Sequence, residues 1–202
     1  MGELYNESIF KKLMPIIFIA ILSISLTGCS SKPDETVKGF FGALKQQDIK
    51  KASTFINVNS FYKELKVDEF DSKEQEKIVK AVLSKFDYSL GDVEKNGNTA
   101  TAKVSVTSID LGKITIETID KVLPNLIDEA FSKGKIDEKK QQAVIIQHML
   151  NSINDPNAPK IKTNINVKLV KEDKGWLIEP DEELANALSG NLYSVAKKFQ
   201  SK

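Results

Sequence analysis

Few residues in this chain are of the types that perform nucleophilic chemistry. The 202 residues include one cysteine, Cys29, and one histidine, His148. A serine or cysteine nucleophile activated by histidine would therefore have to use His148 as its base. His148 stands between Ile146 and Met149 in a stretch with helical spacing, where the sequence fixes no acidic partner for it. We expect an ordinary surface or half-buried helix histidine.

Metal ligation has equally little support in the sequence. The carboxylates stand in scattered pairs such as Glu182-Glu183, and no HExxH or calcium-loop spacing occurs. The densest acidic group is Asp68, Glu69 and Asp71, which fits a solvated run of charges before a helix. We therefore predict neither a metal nor another cofactor.

The balance of charges and the absence of glycine-rich motifs also argue against several anion-binding functions. The 29 cations, all lysine, nearly balance 28 acidic residues. Without arginine, the chain lacks the planar side chain best suited to gripping phosphate or carboxylate. Neither GxGxxG nor GxxxxGK[ST] occurs, so phosphate loops are absent from the sequence. We predict no nucleotide use and no nucleic-acid partner.

The first 28 residues have the pattern of an export signal. Residues 13–26 are largely apolar and follow Lys11-Lys12, the charge order that keeps the basic end in the cytoplasm. Because crossing a bilayer takes about 20 apolar residues, this shorter stretch predicts a signal peptide rather than a permanent membrane helix. The sequence Leu26-Thr27-Gly28-Cys29 stands at its end.

That tetrapeptide resembles the lipobox of bacterial lipoproteins: an aliphatic residue, two small residues and the cysteine. The resemblance implies that the Cys29 thiol accepts a diacylglycerol as a thioether. Small Thr27 and Gly28 would let the extended chain enter a peptidase that cuts before Cys29. A lone cysteine is otherwise often buried in a core. Here its place between the apolar stretch and the polar residues 30–33 favours lipidation, which leaves no catalytic thiol.

Lipidation sets the predicted organisation and location of the chain. Residues 1–28 are the signal peptide, 29–34 the lipidated tether and 35–202 one domain with a sizeable core. Two acyl chains on Cys29 give stable anchoring, so the membrane is a partner and the extracytoplasmic face of the cell membrane is the location. Ser30 is not the aspartate that signals retention in double-membrane bacteria, and abundant Lys, Ile and Asn indicate a Gram-positive host, with the envelope type open.

The mature domain begins with three segments whose apolar residues have helical spacing. Asp34 and Asp48 are predicted to cap the first two helices, and Ser72 with Gln75 has the spacing of a capping box before a third. The periodic apolar residues predict that each helix buries one face. The three apolar stripes are Val37, Phe40, Phe41 and Leu44; Ile49, Ala52, Phe55 and Ile56; and Ile78, Val79, Val82, Leu83 and Phe86.

Two later segments are predicted to form β-hairpins. Residues 88–94, the turn pair Asn96-Gly97 and residues 99–109 make the first. In the second, apolar and polar residues alternate over 161–169, and a charged turn leads into residues 176–178.

The segment between these hairpins and the segment after them are again predicted to be helical. An inserted helical hairpin is predicted at about residues 113–153, broken at Gly134 and kinked at Pro124. Pro180 and Asp181 are predicted to open one final helix. Its apolar face consists of Leu184, Ala187, Leu188, Leu192, Val195 and Phe199.

This order of elements predicts an α+β domain with helices packed on a curved antiparallel sheet. Residues 35–56, an aromatic-rich helix and a connection ending in Asp48, resemble the opening of nuclear transport factor 2-like domains. The closing hairpin with Gly175-Trp176-Leu177-Ile178 is similar to the last hairpin of that superfamily. The resemblance implies a cystatin-like cone whose core Trp176 covers. The whole chain also resembles Gram-positive lipoproteins that join a lipobox to such a domain and have no assigned function.

The leading functional hypothesis is a non-enzymatic module that binds a ligand or a protein. It follows from the missing catalytic sets and from anchoring, which concentrates a binder at one surface. An envelope protein or a small apolar ligand is the expected partner. A further interpretation takes the final helix, residues 181–199, as a docking element that could be deleted without unfolding the domain.

The alternative hypothesis is an enzyme. The resemblance implies a small-molecule lyase or isomerase that uses an Asp, Tyr or His inside the cone cavity, and Asp87, Tyr88 and Tyr62 have suitable side chains. Tyrosines at the edge of a core, with the hydroxyl in water, would explain Tyr62 and Tyr88 equally well. A cavity filled by phenylalanines would argue against this hypothesis.

Overall fold

The fold combines helices with one antiparallel sheet, which confirms the predicted α+β class. The computed structural model describes residues 32–57, 73–133, 138–173 and 175–200. In those ranges the seven helices are α1 (Pro33–Lys45), α2 (Ile49–Ser53), α3 (Lys73–Leu83), α4 (Leu111–Lys133), α5 (Glu138–Asn154), α6 (Glu182–Leu188) and α7 (Leu192–Gln200). The strands are β1 (Asp87–Asn96), β2 (Thr99–Ile109), β3 (Lys160–Glu172) and β4 (Gly175–Glu179). They form an open sheet in the order β1-β2-β3-β4.

The first helix starts two residues earlier than the predicted cap would place it. Its N-cap is Lys32, with Pro33 in the first helical position, where a missing N–H costs nothing. The Glu35 carboxylate accepts a hydrogen bond from the Lys32 N–H at 3.2 Å. The prediction that Asp34 caps α1 is therefore wrong; Asp34 lies in the first turn and pairs with Lys38 at 3.2 Å.

The second helix is capped as predicted but is shorter than its apolar spacing indicated. The Asp48 carboxylate accepts the Lys51 N–H at 2.9 Å. The chain then leaves the helix and runs beside β4, where Ile178 donates its N–H to the Phe55 carbonyl and the Asn57 N–H reaches the Ile178 carbonyl, each at 2.8 Å. This short pairing protects part of an otherwise open sheet edge.

Two hairpins build the sheet, as predicted. In the first, Asn96 pairs with Thr99, so the two turn residues are Gly97 and Asn98. Gly97 alone in this turn has a positive φ, 58°, the pattern of a turn with glycine at its first central position. The prediction that Asn96-Gly97 forms the turn is therefore displaced by one residue.

The alternation along β2 and β3 separates two faces of the sheet. One face, here called the core face, packs against α1 and carries Ala102, Val104, Ile165 and Val167, all buried. The other, here called the open face, carries polar residues. Its central members are Thr101, Lys103, Ser105 and Thr107 on β2 and Lys162, Asn164, Asn166 and Lys168 on β3.

Two apolar clusters hold the described residues together. In the larger cluster, Phe41 lies 5.0 Å from Phe40 in an edge-to-face contact and 6.2 Å from Phe86 in a stacked one, between ring centroids. Burial of each ring contributes about 1.5–3 kcal/mol relative to exposure. Trp176, which is 4% exposed, packs in this cluster as predicted. The smaller cluster, at the base of the helical hairpin, contains Val82, Ile109, Leu111, Ile114 and Ile153.

The predicted helical hairpin is present as α4 and α5, which contact each other, α3 and α7. Pro124 lies inside α4, whereas the predicted break at Gly134 falls outside the described residues. No helix in the described ranges is long and apolar enough to cross a membrane.

The single final helix predicted from the sequence is wrong, because it is two helices. Asp181 caps α6 as predicted, accepting the Leu184 N–H at 3.0 Å. The chain then turns through Gly190 and Asn191, which have positive φ values of 52° and 65°. The Gly190 carbonyl accepts the Gly112 N–H at 2.8 Å. That contact with the start of α4 replaces helical continuation.

Candidate functional site

Several residues that the sequence singled out lie outside the described part of the chain. The structure therefore gives no geometry for the predicted lipidation or for an acidic cluster before α3. These residues are Cys29 with its lipobox Leu26, Thr27 and Gly28, together with Tyr62, Asp68, Glu69 and Asp71.

The single histidine contacts a hydroxyl group rather than a carboxylate. His148 on α5 is half-buried, and its Nδ1 lies 3.3 Å from the Thr118 Oγ1 on α4. Thr118 is itself buried, at 2% exposure. The pair links the two helices of the hairpin, as expected for a structural helix histidine. Across the described ranges, no three His, Cys, Asp or Glu side chains group together to hold a metal ion.

Asp87 and Tyr88 lie beside the end of α1 instead of inside a cavity. The exposed Asp87 carboxylate accepts a hydrogen bond from the Lys45 Nζ at 2.7 Å. This hydrogen bond lowers the pKa of Asp87 and raises the pKa of Lys45. The Tyr88 ring stacks on Phe41 with centroids 5.2 Å apart, and its hydroxyl lies 3.4 Å from the Lys38 carbonyl. Both side chains therefore have structural partners.

The space between α1 and the core face is filled by aromatic side chains. Phe40, Phe41 and Phe86 are 1%, 0% and 4% exposed and belong to one cluster. A cavity filled by phenylalanines argues against an enzyme of the superfamily type. The candidate site lies on the opposite face of the sheet.

A groove lies at the centre of the open face. Its volume is about 390 Å³, toward the lower end of the range for small-molecule sites. Three adjacent strands contribute to it, so the sheet itself holds its walls in place. The lining residues are Ser89, Leu90, Gly91, Lys103, Val104, Ser105, Asn164, Ile165 and Asn166.

The groove presents hydrogen-bonding groups of both kinds. Ser89, Asn164 and Asn166 are exposed and supply hydroxyl and amide groups. Ser105 is half-buried, and its Oγ is a buried atom with no hydrogen-bond partner among the described residues. A buried unsatisfied hydroxyl costs roughly 1–3 kcal/mol.

A β-bulge shapes one wall of the groove. Leu90 pairs with Val104 and Val93 with Ala102, which leaves Gly91 and Asp92 opposite the single residue Lys103. The extra residue lets Leu90 and Val93, three positions apart, both pack on the core face. A Cβ on Gly91 would stand 3.3 Å from the Lys103 carbonyl oxygen, tighter than an ordinary van der Waals contact.

Charge at the groove is partly balanced. The Lys103 Nζ lies 3.8 Å from an Asp92 carboxylate oxygen and 3.7 Å from a Glu94 carboxylate oxygen. All three side chains are exposed, so these ion pairs contribute little to stability and leave the Lys103 ammonium able to exchange partners. The groove is therefore polar without a strong net charge.

Alternation along the sequence predicts the polar side of β3 but not the groove. Its one direct signal was Gly91 inside a strand, which often marks a bulge or a close backbone approach. The prediction of a regular strand over residues 88–94 did not include this bulge. The pairing of Ser105 with both Ser89 and Asn164 depends on strand register, which the sequence did not supply.

The final segment is part of the core, which bears on its interpretation as a removable docking element. Leu184 and Ala187 on α6 are 3% and 2% exposed and lie in the larger cluster. Ala187 also accepts a hydrogen bond from the buried Ser108 hydroxyl at 3.2 Å. Deleting residues 181–199 would expose this core. We therefore expect the deletion to unfold the domain rather than to remove only the binding of a partner.

Comparisons of the chain with protein-family models, with curated proteins and with solved structures found no match.

Proposed function

We propose that this chain is the precursor of a lipoprotein anchored through Cys29 at the extracytoplasmic face of the cell membrane, and that its domain is a non-enzymatic binding module. The sequence of residues 11–33 supports the anchor. The groove on the open face, with its hydrogen-bonding lining, is the observation that carries the binding function.

The distribution of polar groups favours binding over catalysis. The enzyme hypothesis needs an acid or base inside the cone, but Asp87 and Tyr88 contact Lys45 and Phe41 at the end of α1. In the groove, by contrast, hydroxyl, amide and ammonium groups are held in place by three paired strands. Such groups orient a ligand through hydrogen bonds.

The lining indicates a ligand that forms hydrogen bonds. Ser89, Asn164 and Asn166 offer both donors and acceptors, and Lys103 adds an ammonium group at the rim. A polar molecule of small size, or a polar segment of an envelope protein, fits this chemistry better than the small apolar ligand expected from the sequence.

We also infer a variant of the nuclear transport factor 2-like, cystatin-like cone. The crossing of aromatic-rich α1 over the core face, and the closing hairpin that places Trp176 in the core, support this assignment. The hairpin of α4 and α5 is then an insertion between β2 and β3.

The anchor is tested by Cys29→Ala in cells that process lipoproteins. We expect the variant to leave the membrane fraction and to lose fatty-acid labelling, because the thioether can no longer form. The unchanged chain, treated in parallel, should remain in the membrane fraction. Continued labelling of Cys29→Ala would refute the lipidation site.

The groove is tested by native mass spectrometry of residues 30–202 purified under mild conditions from the original host. We expect a reproducible small mass that is lost on denaturation. Asn164→Phe, which fills the groove, should abolish it, while Thr101→Phe, on the same open face outside the groove, should retain it. Retention by both variants would place the ligand elsewhere, and a clean mass from the unchanged protein would favour a protein partner.

A further inference from the structure

Helix α1 packs lengthwise on the sheet, and two contacts fix its direction. Near its start, the buried Thr36 hydroxyl donates to the Trp176 carbonyl at 3.2 Å, at the beginning of β4. At its end, Lys45 pairs with Asp87, the first residue of β1. The beginning of β4 and the beginning of β1 lie at opposite ends of the antiparallel sheet.

Both hairpin turns lie at the same end as the start of α1. Trp176 pairs with Lys171, and the Lys171 N–H donates to the carbonyl of Asn98 in the first turn at 2.8 Å. We call this the turn end. The opposite end contains Asp87 and the pairing of Ile109 with Lys160, and there β2 leads into the helical hairpin.

A short connection joins the proposed lipid to the turn end. Four residue steps separate Cys29 from Pro33, the first residue of α1, so even an extended chain spans at most about 14 Å. We propose that the turn end faces the lipid headgroups, a proposal that rests on the proposed anchoring at Cys29. The partner surface is the bilayer itself, and the first part to meet it comprises the start of α1 and the two turns.

The tether, rather than charge, would select this end. The turn end carries lysines and acidic residues together, so it has no strong attraction for an anionic surface. Among the residues that the structure describes, those at this end include Lys32, Lys95 and Lys171, with Glu35, Glu94, Glu172 and Asp173. An orientation set by the tether should therefore persist at high salt.

This orientation sets the distance of each other surface from the bilayer. Ten strand steps separate Thr99 from Ile109, so the opposite end lies about 30 Å farther from the bilayer. The groove, near the middle of β2, would open sideways at about half that height. The base of the helical hairpin, whose helices carry the exposed residues Ile116, Ile119 and Ile127, would begin at the far end.

Two matched probes test this orientation. Because lipidation consumes the thiol of Cys29, Asn98→Cys and Asn157→Cys each create a single free thiol in the processed protein. Both positions are exposed; Asn98 lies in the first turn, and Asn157 precedes β3 at the opposite end. The full chain is processed in cells, labelled with an environment-sensitive fluorophore and reconstituted in phosphatidylcholine vesicles that contain headgroup-spin-labelled lipid.

The lipid should quench the Asn98→Cys probe several-fold more than the Asn157→Cys probe, with little change at high salt. Equal quenching, or stronger quenching at Asn157→Cys, in protein that floats with the vesicles would overturn the orientation while leaving the anchor intact. Protein that fails to float would refute the anchor first, and the orientation would fall with it.

A longer tether tests whether the short connection to Cys29 causes this orientation. A flexible linker of about 20 glycine and serine residues inserted between Ser31 and Lys32 reaches about 25 Å on average. Quenching at Asn98→Cys should then fall toward the Asn157→Cys value although the protein still floats. Undiminished quenching would contradict a tether-imposed orientation.

Discussion

Replacing Gly190 by alanine tests the turn that divides the last helical segment. The chain passes Gly190 at φ 52°, and its backbone packs directly against the end of β2. An added Cβ would lie 1.8 Å from the Ile109 carbonyl oxygen, 2.9 Å from the Ile109 carbonyl carbon and 3.0 Å from the Leu111 backbone nitrogen. All three are backbone atoms, so relief requires movement of the chain itself.

Two terms determine the size of the effect. A left-handed conformation costs a non-glycine residue about 1–2 kcal/mol. Overpacking of a well-packed site adds about 1–3 kcal/mol. The sum, about 2–5 kcal/mol, is a large part of the 5–15 kcal/mol that typically separates folded from unfolded domains. Loss of the hydrogen bond from the Gly112 N–H to the Gly190 carbonyl would accompany the shift.

Urea unfolding of residues 30–202, followed by the fluorescence of the buried Trp176, measures this cost. Gly97→Ala is the matched control: Gly97 also has a positive φ, 58°, but apart from Gly97 itself and its two chain neighbours no residue has an atom within 4 Å of the position of its Cβ. The control should lose only the conformational term, about 1–2 kcal/mol. Equal losses in the two variants would refute the close approach at Gly190.

Two further predictions concern the core and the ion pair at the end of α1. Phe41→Ala should lower the free energy of unfolding by about 3–5 kcal/mol in the same urea assay, because the ring is fully buried. Truncating the half-buried Phe55 should cost less, and the reverse order would contradict the assigned core. Asp87 has a lowered pKa, chiefly through its hydrogen bond with Lys45, so its stabilising effect is present above its unfolded pKa and is lost as the pH falls through the folded value. Below about pH 4, stability should therefore fall more steeply in the unchanged protein than in Asp87→Asn, and identical slopes would exclude the interaction.

The accuracy of the sequence predictions depended on how local the relevant interaction is. The cap at Asp48 is confirmed because an aspartate side chain and the N–H three residues later lie within one turn. Asp34 has the same side chain, but Pro33 can begin a helix without its own N–H, and this moves the cap to Lys32. The turn is also displaced, by one residue, from Asn96-Gly97 to Gly97 and Asn98.

Predicting the groove would have required knowledge of how separate strands pair. Ser89, Ser105 and Asn164 come together through the pairing of β1, β2 and β3, although 75 positions separate Ser89 from Asn164 in the sequence. The bulge at Gly91 and Asp92 then decides which side chains of β1 share a face. Neither the register nor the bulge is encoded in a short pattern, so the site could not be predicted residue by residue.

The sequence by itself determined the order of most helices and strands and their approximate positions, because alternation and helical periodicity record which side each element buries. It also determined the predicted lipid anchor, since the lipobox is a contiguous motif. The tertiary structure alone decided that phenylalanines fill the interior, that Gly190 interrupts the final helix against Ile109, and that a polar groove forms on the open face. Those features arise where distant segments meet, and packing between them overrides the local preference of either segment.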